Sequence, residues 1–163
     1  MPVQGSPKCP FCNPSVGSSV FYENKDCLAL YNIAPVLPGH SLVIPRYHHT
    51  SLFSLSDEEL TSFFLTARTA LKIILKAFHA EAFDFSLQEK PEAGQTIEHL
   101  HIHIVPRLKN DLLHPGDWYP LVQQNDVAII DSLNRPRLSS TELQQIVGKL
   151  RRLADQNSFN LSF

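Results

Sequence analysis

The chain is 163 residues long, 43% hydrophobic and 18% charged, with a formal net charge of -2. That is enough for one domain with a substantial core, and no apolar run approaches the roughly 18 residues of a membrane span. The charge balance offers no basic field for a nucleic-acid backbone, and the start MPVQGSPKCP lacks the basic and apolar segments of a secretory signal, which points to the cytoplasm. Three cysteines, Cys9, Cys12 and Cys27, fit reduced thiols or a metal site better than a disulfide framework.

In chain order, the first dozen residues, with two prolines around CPFC, read as a loop or small knuckle. VFYE (Val20 to Glu23) and DCLALYNI (Asp26 to Ile33) predict two strands split by a polar turn. Two prolines and a glycine in APVLPGH interrupt the pairing, and SLVIP (Ser41 to Pro45) predicts a third strand. A long helix follows. Ser56 and Glu59 form a capping box, and Leu60, Phe63, Phe64, Ala67, Leu71, Ile74, Leu75 and Phe78 recur at helical spacing as its core stripe. AFDFSLQ (Ala82 to Gln88) resumes a period of two, EKPEAGQT breaks it, and a strand carrying three histidines runs to Pro106. After a loop rich in Pro, Gly and Asp that holds Trp118 and Tyr119, a second helix starts near Ser139. It is capped by Ser139 and Glu142, with Leu143, Ile146, Val147, Leu150 and Leu153 on one face. The fold class is α+β: a small antiparallel sheet, one long helix packed on it, and a C-terminal extension with a helix. Residues 1–120 form the domain, 1–19 being its CxxC segment, and 121–163 the extension.

The segment IEHLHIHIVPR puts His99, His101 and His103 at alternate positions, with Leu100, Ile102 and Ile104 between them. On a strand such residues share a face. The apolar trio can face the helix and leave the imidazoles on the outer face, since a buried stripe of rings needs a partner for every nitrogen. Three histidines in this array fit metal ligands or a nucleophilic imidazole flanked by positioning groups, for neutral imidazole can attack phosphorus without a separate base. The adjacent Gly94, Gln95, Thr96 and Ile97 offer amide groups and a hydroxyl that can cradle phosphate oxygens. A single-glycine loop is otherwise just a turn.

HLHIHIVPR resembles the signature of the histidine-triad (HIT) superfamily of nucleotide hydrolases and transferases. LALYNIAPVLPGHSLVIP and FSLQEKPEAGQTIEHLHIHIVPR are similar to segments of its Fhit branch, the dinucleoside polyphosphate hydrolases, over roughly residues 20 to 107. The resemblance implies a HIT-like fold and a cleavage of substrates such as diadenosine tri- or tetraphosphate at the α-phosphorus. His101 would be the nucleophile, forming a nucleotidyl-histidine. His103 would bond a phosphate oxygen, and Gln88 would lie near the scissile bridge. Asn32 matches a ribose-binding asparagine and Gly94, Gln95, Thr96 and Ile97 a phosphate loop. Leu30 and Leu42 would contribute to the base pocket, and His40 would support the site from behind.

CPFC departs from the Fhit pattern. Cys-x-x-Cys is half of a zinc site, and His48 or His49 can supply a further ligand. The resemblance to certain bacterial HIT proteins implies Zn²⁺ held by Cys9, Cys12, His48 and His99, in a closed structural site; the other reading is a pair of reduced thiols in a tail. Mg²⁺ would enter with the substrate's phosphates. Cys27 reads as a small core residue. The same triad serves a dinucleotide phosphorylase, a nucleoside phosphoramidase or a nucleotide-sensing binding protein, and a catalytic metal on all three histidines is a further alternative. Trp118 and Tyr119 could close over a base or simply pin a loop. A homodimer through helix and sheet edge is expected from the resemblance alone.

Overall fold

The computed structural model describes residues 6, 8–117 and 135–157. Among the described residues five strands form one antiparallel sheet: β1 (Val20–Glu23), β2 (Cys27–Tyr31), β3 (Ser41–Pro45), β4 (Ala82–Leu87) and β5 (Ile102–Arg107), in the order β1-β2-β3-β5-β4. A helix α1 (Asp57–Phe78) crosses between β3 and β4, and α2 (Ser140–Asn157) follows the sheet. The expected α+β architecture is therefore present.

Period-two alternation divides the sheet into two faces. Cys27, Ala29, Tyr31, Val43, Ile102 and Ile104 pack on α1 in one buried cluster, which α2 joins through Leu143, Val147, Leu150 and Ala154. Each fully buried Leu or Ile there contributes on the order of 1.5–3 kcal/mol. Leu28, Leu30, Leu42 and Ile44 take the other face and pack with Cys9 and Phe11 in a second cluster.

Both helix starts follow their predicted caps. Ser56 and Glu59 form a reciprocal capping box, and at α2 the Glu142 carboxylate accepts from the Ser139 amide while the Ser139 hydroxyl accepts from the Glu142 amide. The stripe of α1 lies slightly round from the predicted one. Phe63, Thr66, Ala67, Ala70, Ile73, Ile74 and Ala77 are buried, whereas Phe64 is 43% exposed. Thr66 belongs to the stripe because its hydroxyl is satisfied there, donating to the Ser62 carbonyl at 2.7 Å and accepting from the Asn24 amide at 2.7 Å. A pattern of apolar positions cannot reveal a satisfied hydroxyl.

The histidine segment also corrects the prediction. Only His103 lies in β5; His99 and His101 precede it in irregular chain. Pairing with β3 covers only Ile102 to Ile104. Before it, the chain is held by the His99 amide donating to the Ile97 carbonyl at 2.7 Å and the Leu100 amide donating to the His49 carbonyl at 2.6 Å. The apolar trio faces the helical core as expected, yet the imidazoles are no outer surface: all three rings are buried.

Candidate active site and metal centre

Gly39 shapes the approach to the site. Its φ of +92° is a left-handed conformation that glycine adopts freely, and a Cβ there would lie 2.3 Å from Pro106. The turn delivers His40, whose ring lies against His103 with centroids 5.2 Å apart. Register then assembles the rest. Leu30 faces Leu42 across β2 and β3, and Leu42 faces His103 across β3 and β5. Leu87 pairs with Ile102 at the end of the β4–β5 ladder, and the buried Gln88 follows Leu87 in the chain as the buried His101 precedes Ile102.

Hydrogen-bond accounting assigns each ring its tautomer. The Val36 amide donates to His40 Nδ1 at 3.2 Å. His40 therefore presents its proton at Nε2, which lies 3.0 Å from His103 Nδ1. His103 accepts there and carries its own proton on Nε2, a buried nitrogen with no partner among the described residues. His101 is wired the other way: Nδ1 lies 2.6 Å from the His99 carbonyl oxygen and donates to it, which leaves the lone pair on Nε2. Burial pushes His40 down to about 3 and His103 well below its usual value, helped by neighbouring Arg135 and His101. Both rings are neutral at physiological pH.

Beside this group lies a cavity of about 580 Å³, lined among others by Phe11, Leu30, Asn32, Leu42, Thr96 and Ile97. Asn32 accepts from the Ala34 amide at 2.9 Å through its side-chain oxygen, and its side-chain nitrogen faces His40 at 3.5 Å. In the loop, Gly94 adopts φ 89°. The Gly94 and Gln95 amides donate back to Pro91 and Lys90 at 2.9 and 3.1 Å, and Gln95 accepts from the Lys90 amide at 2.8 Å. Its side-chain nitrogen is buried with no partner among the described residues. Thr96 and Ile97 are the loop members that reach the cavity wall.

Cys9, Cys12, His48 and His99 form a second cluster, their ligand atoms within 4.8 Å of one another. His99 Nδ1 lies 3.5 Å from Cys9 Sγ and 3.6 Å from Cys12 Sγ, and His48 Nδ1 lies 3.4 Å from Cys12 Sγ. Ligand atoms about 2.0–2.3 Å from one zinc in a tetrahedron stand about 3.3–3.8 Å apart, and the three spacings of 3.4–3.6 Å lie in that range. His99 Nε2 donates to the Pro45 carbonyl at 3.0 Å, which turns an unprotonated Nδ1 toward the sulfurs. Burial pushes His99 down to about 4 and, with Cys9 beside it, the Cys12 thiol up to about 11. Metal binding here exchanges thiol protons for a cation. His49 instead bonds Ser54 at 2.9 Å and faces Glu59 at 3.8 Å.

The three histidines thus do not converge on one ion: His99 faces the thiols, while His101 and His103 face each other with ring centroids 4.8 Å apart. The structure also brings in residues the sequence reading did not single out. Phe11, Ser15, Val16 and Arg137 line the cavity. Phe11 had a signal, as the one large apolar side chain inside CPFC; Arg137 had none, because it reaches the wall from beyond the sheet, where the Leu138 amide donates to the Ile33 carbonyl at 2.9 Å. Trp118 and Tyr119 lie outside the described residues.

A five-stranded antiparallel sheet with one crossing helix, and paired neutral imidazoles next to a cavity, define an α+β protein of the histidine-cluster class. The HIT domain model matches residues 13–110, and the chain belongs to that family. A Schizosaccharomyces pombe bis(5'-nucleosyl)-tetraphosphatase [asymmetrical] is 40% identical over 111 residues, 68% of this chain and 61% of that protein. The match thus spans less than two thirds of that relative. A Dictyostelium discoideum bis(5'-adenosyl)-triphosphatase is 33% identical over 140 residues, 86% of this chain and 88% of that one. Among solved structures, a Zn-bound histidine triad family protein from Mycobacterium smegmatis shares the fold at TM-score 0.70, with 23% identity over 94% of this chain and 98% of that one. The resemblance carried by HLHIHIVPR is borne out.

Proposed function

We propose that the protein hydrolyses dinucleoside polyphosphates at the α-phosphorus through a nucleotidyl-His101 intermediate. The observation that carries this reading is the opposed wiring of two adjacent rings: His101 Nε2 holds a lone pair, and His103 Nε2 holds an unpartnered proton. The names of the two relatives, a tetraphosphatase and a triphosphatase, supply the substrate class.

His101 Nε2 attacks the α-phosphorus. A P–N bond forms, the P–O bond to the bridging oxygen breaks, and a nucleoside di- or triphosphate leaves with the electron pair. Water then attacks the same phosphorus and releases the mononucleotide and the free imidazole. Splitting the displacement in two lowers each barrier. His103 Nε2–H, aligned by His40, donates to a non-bridging oxygen as charge builds there. Gln88, just beyond the Leu87–Ile102 pair that follows His101, orients the leaving bridge or the water, and Mg²⁺ would enter with the phosphates. Leu30, Leu42 and Ile97 hold the base, Asn32 the ribose, and the Gly94 to Ile97 loop the phosphates, chiefly through Thr96 and the Gln95 side chain.

Cys9, Cys12, His48 and His99 would hold Zn²⁺, which supplies structural bracing, since a site with four protein ligands keeps no open position. The Zn-bound M. smegmatis protein supports that choice of ion. We assign residues 1–120 to the domain and 121–163 to its extension, place the protein in the cytoplasm in keeping with its three free cysteines, and expect a homodimer. Among the described residues β4 is a sheet edge with Phe83 and Phe85 exposed, and α1 exposes Phe64 and Leu65; edges and apolar patches of this kind favour a partner. No helix of the described residues is long and apolar enough to cross a membrane.

The test is product analysis with diadenosine tri- and tetraphosphate, in Mg²⁺ buffer, with and without inorganic phosphate. Asymmetric cleavage independent of phosphate supports the hydrolase, phosphate-dependent release of a nucleoside diphosphate makes it a phosphorylase, and absence of cleavage leaves the phosphoramidase or the sensor.

A further inference from the structure

The cavity and the metal cluster share one short segment. Phe11 stands between Cys9 and Cys12, lines the cavity, and lies edge-on to two histidines, with ring centroids 5.8 Å from His99 and 5.4 Å from His101. Cys9 and Phe11 pack in a single cluster with Leu30 and Leu42, and Cys12, Val16 and Ile97 close its margin. The segment belongs to no sheet. It is two 3-10 turns, Pro10–Cys12 and Pro14–Ser18. Its backbone bonds are local: Cys9 to Ser6, Cys12 to Cys9, Asn13 to Pro10 and Val16 to Asn13. Both turns begin with proline, which has no amide to give. The second turn is tied to the fold by the Arg151 guanidinium donating to the Gly17 carbonyl at 3.2 Å and, just after it, by the Tyr31 amide donating to the Ser19 carbonyl at 2.9 Å; the first turn, which carries Phe11, is joined to the site by side-chain packing and the two thiols facing His48 and His99.

We infer that Phe11 couples metal binding to nucleotide binding. A metal that holds Cys9 and Cys12 fixes the intervening ring as a wall of the cavity and as the edge contact of His101. A nucleobase packed on that wall in turn holds the two cysteines in ligating geometry. Phe11 is a positioning residue: it carries no group that exchanges a proton or binds the cation, and it acts on His101 by restricting where that ring can lie. The coupling rests on the reading of the cavity as a nucleotide site. Linkage makes it reciprocal, so the factor by which nucleotide strengthens metal binding equals the factor by which metal strengthens nucleotide binding.

Zn²⁺ affinity is measured on the full chain by competition with a chromophoric chelator, with and without saturating AMP; AMP affinity is measured on Zn²⁺-loaded and chelator-treated protein. The wild type should show the same factor both ways, roughly fivefold or more, the lower end of ordinary coupling between sites. Phe11→Ala should still bind one Zn²⁺ and bind AMP, with the factor reduced to about one, and Phe11→Leu should fall between. Wild-type Zn²⁺ affinity unchanged by AMP would overturn the coupling while leaving the nucleotide site intact, and Phe11→Ala retaining the full factor would remove Phe11 from it. Failure of the wild type to bind AMP in either state would instead sink the nucleotide reading, and the coupling with it. Should Phe11→Ala fail to fold, the wild-type reciprocity and the Phe11→Leu factor still decide.

Discussion

His99 and His101 are two residues apart, both buried, both neighbours of Phe11, and the chain turns them to opposite uses. In His99 the proton sits on Nε2, tied to the Pro45 carbonyl, and Nδ1 faces two sulfurs. In His101 the proton sits on Nδ1, tied to the His99 carbonyl, and Nε2 is left to react. One backbone oxygen on each ring decides between ligand and nucleophile. A histidine motif therefore becomes chemistry only when the partner of the second nitrogen is known.

The sharpest way to break this comparison is to delete each role separately. His101→Ala should lower kcat on diadenosine triphosphate by roughly 10⁴-fold or more, the scale on which nucleophile deletions act. It should keep the Zn²⁺ content and thermal midpoint of the wild type. A variant that kept more than a few per cent of wild-type turnover, or lost its metal, would show that the two rings are not separate in function. Cys12→Ser should do the reverse: Zn²⁺ stoichiometry well below one per chain, and a loss of the metal-dependent stability, about 4 kcal/mol when free metal is a thousandfold above Kd. Urea melts of both variants with and without chelator check this, and a Cys12→Ser protein whose stability still responded to chelator would relocate the metal.

His103→Ala probes the third ring. If its Nε2–H meets charge that develops during the reaction, kcat should fall about 10²- to 10³-fold with KM nearly unchanged, as for a lost oxyanion donor. An equal rise in KM instead would make His103 a ground-state phosphate binder. Steady-state kinetics on His103→Ala and His103→Gln separate the two.

Much of this was legible in the sequence because the determinants are local. Ser56 with Glu59 and Ser139 with Glu142 predicted both helix starts, and the short apolar run SLVIP, ending at proline, predicted β3 with its bounds. The metal group was legible as a set, CxxC with two candidate histidines, but the choice of His48 over His49 needed the fold: His49 turns to Ser54 and Glu59. What period-two reasoning missed is that His99 and His101 precede the strand, since β3 offers pairing only from Val43 back to Ser41. Burial of the imidazoles was unreadable for a related reason. Phe11 and the two cysteines, in turns that carry no periodicity, lie against His99 and His101, and His40 lies against His103; each ring is tolerated inside only because Pro45, His99 and His40 satisfy a nitrogen.

The smallest predicted effect tests that satisfaction directly. His40 and His103 are neutral in the fold, each with its folded pKa below the ordinary value, His40 at about 3, and the neighbouring Arg135 and His101 push in the same direction as burial. Below the unfolded pKa of about 6.5, the unfolded chain binds protons that the folded pair refuses. The stabilisation from the pair is thus fully present above that pH and is lost progressively as pH falls toward 3. His40→Gln keeps a side chain that can donate to His103 Nδ1 but removes one proton acceptor from the unfolded state. Its urea midpoint, measured at pH 7.5, 6.0 and 5.0 with Zn²⁺ saturating, should therefore decline less steeply than that of the wild type. Parallel slopes would mean that His40 titrates alike in both states, and the chain of bonds from Val36 through His40 to His103 would lose its claim to hold the donor neutral and aimed.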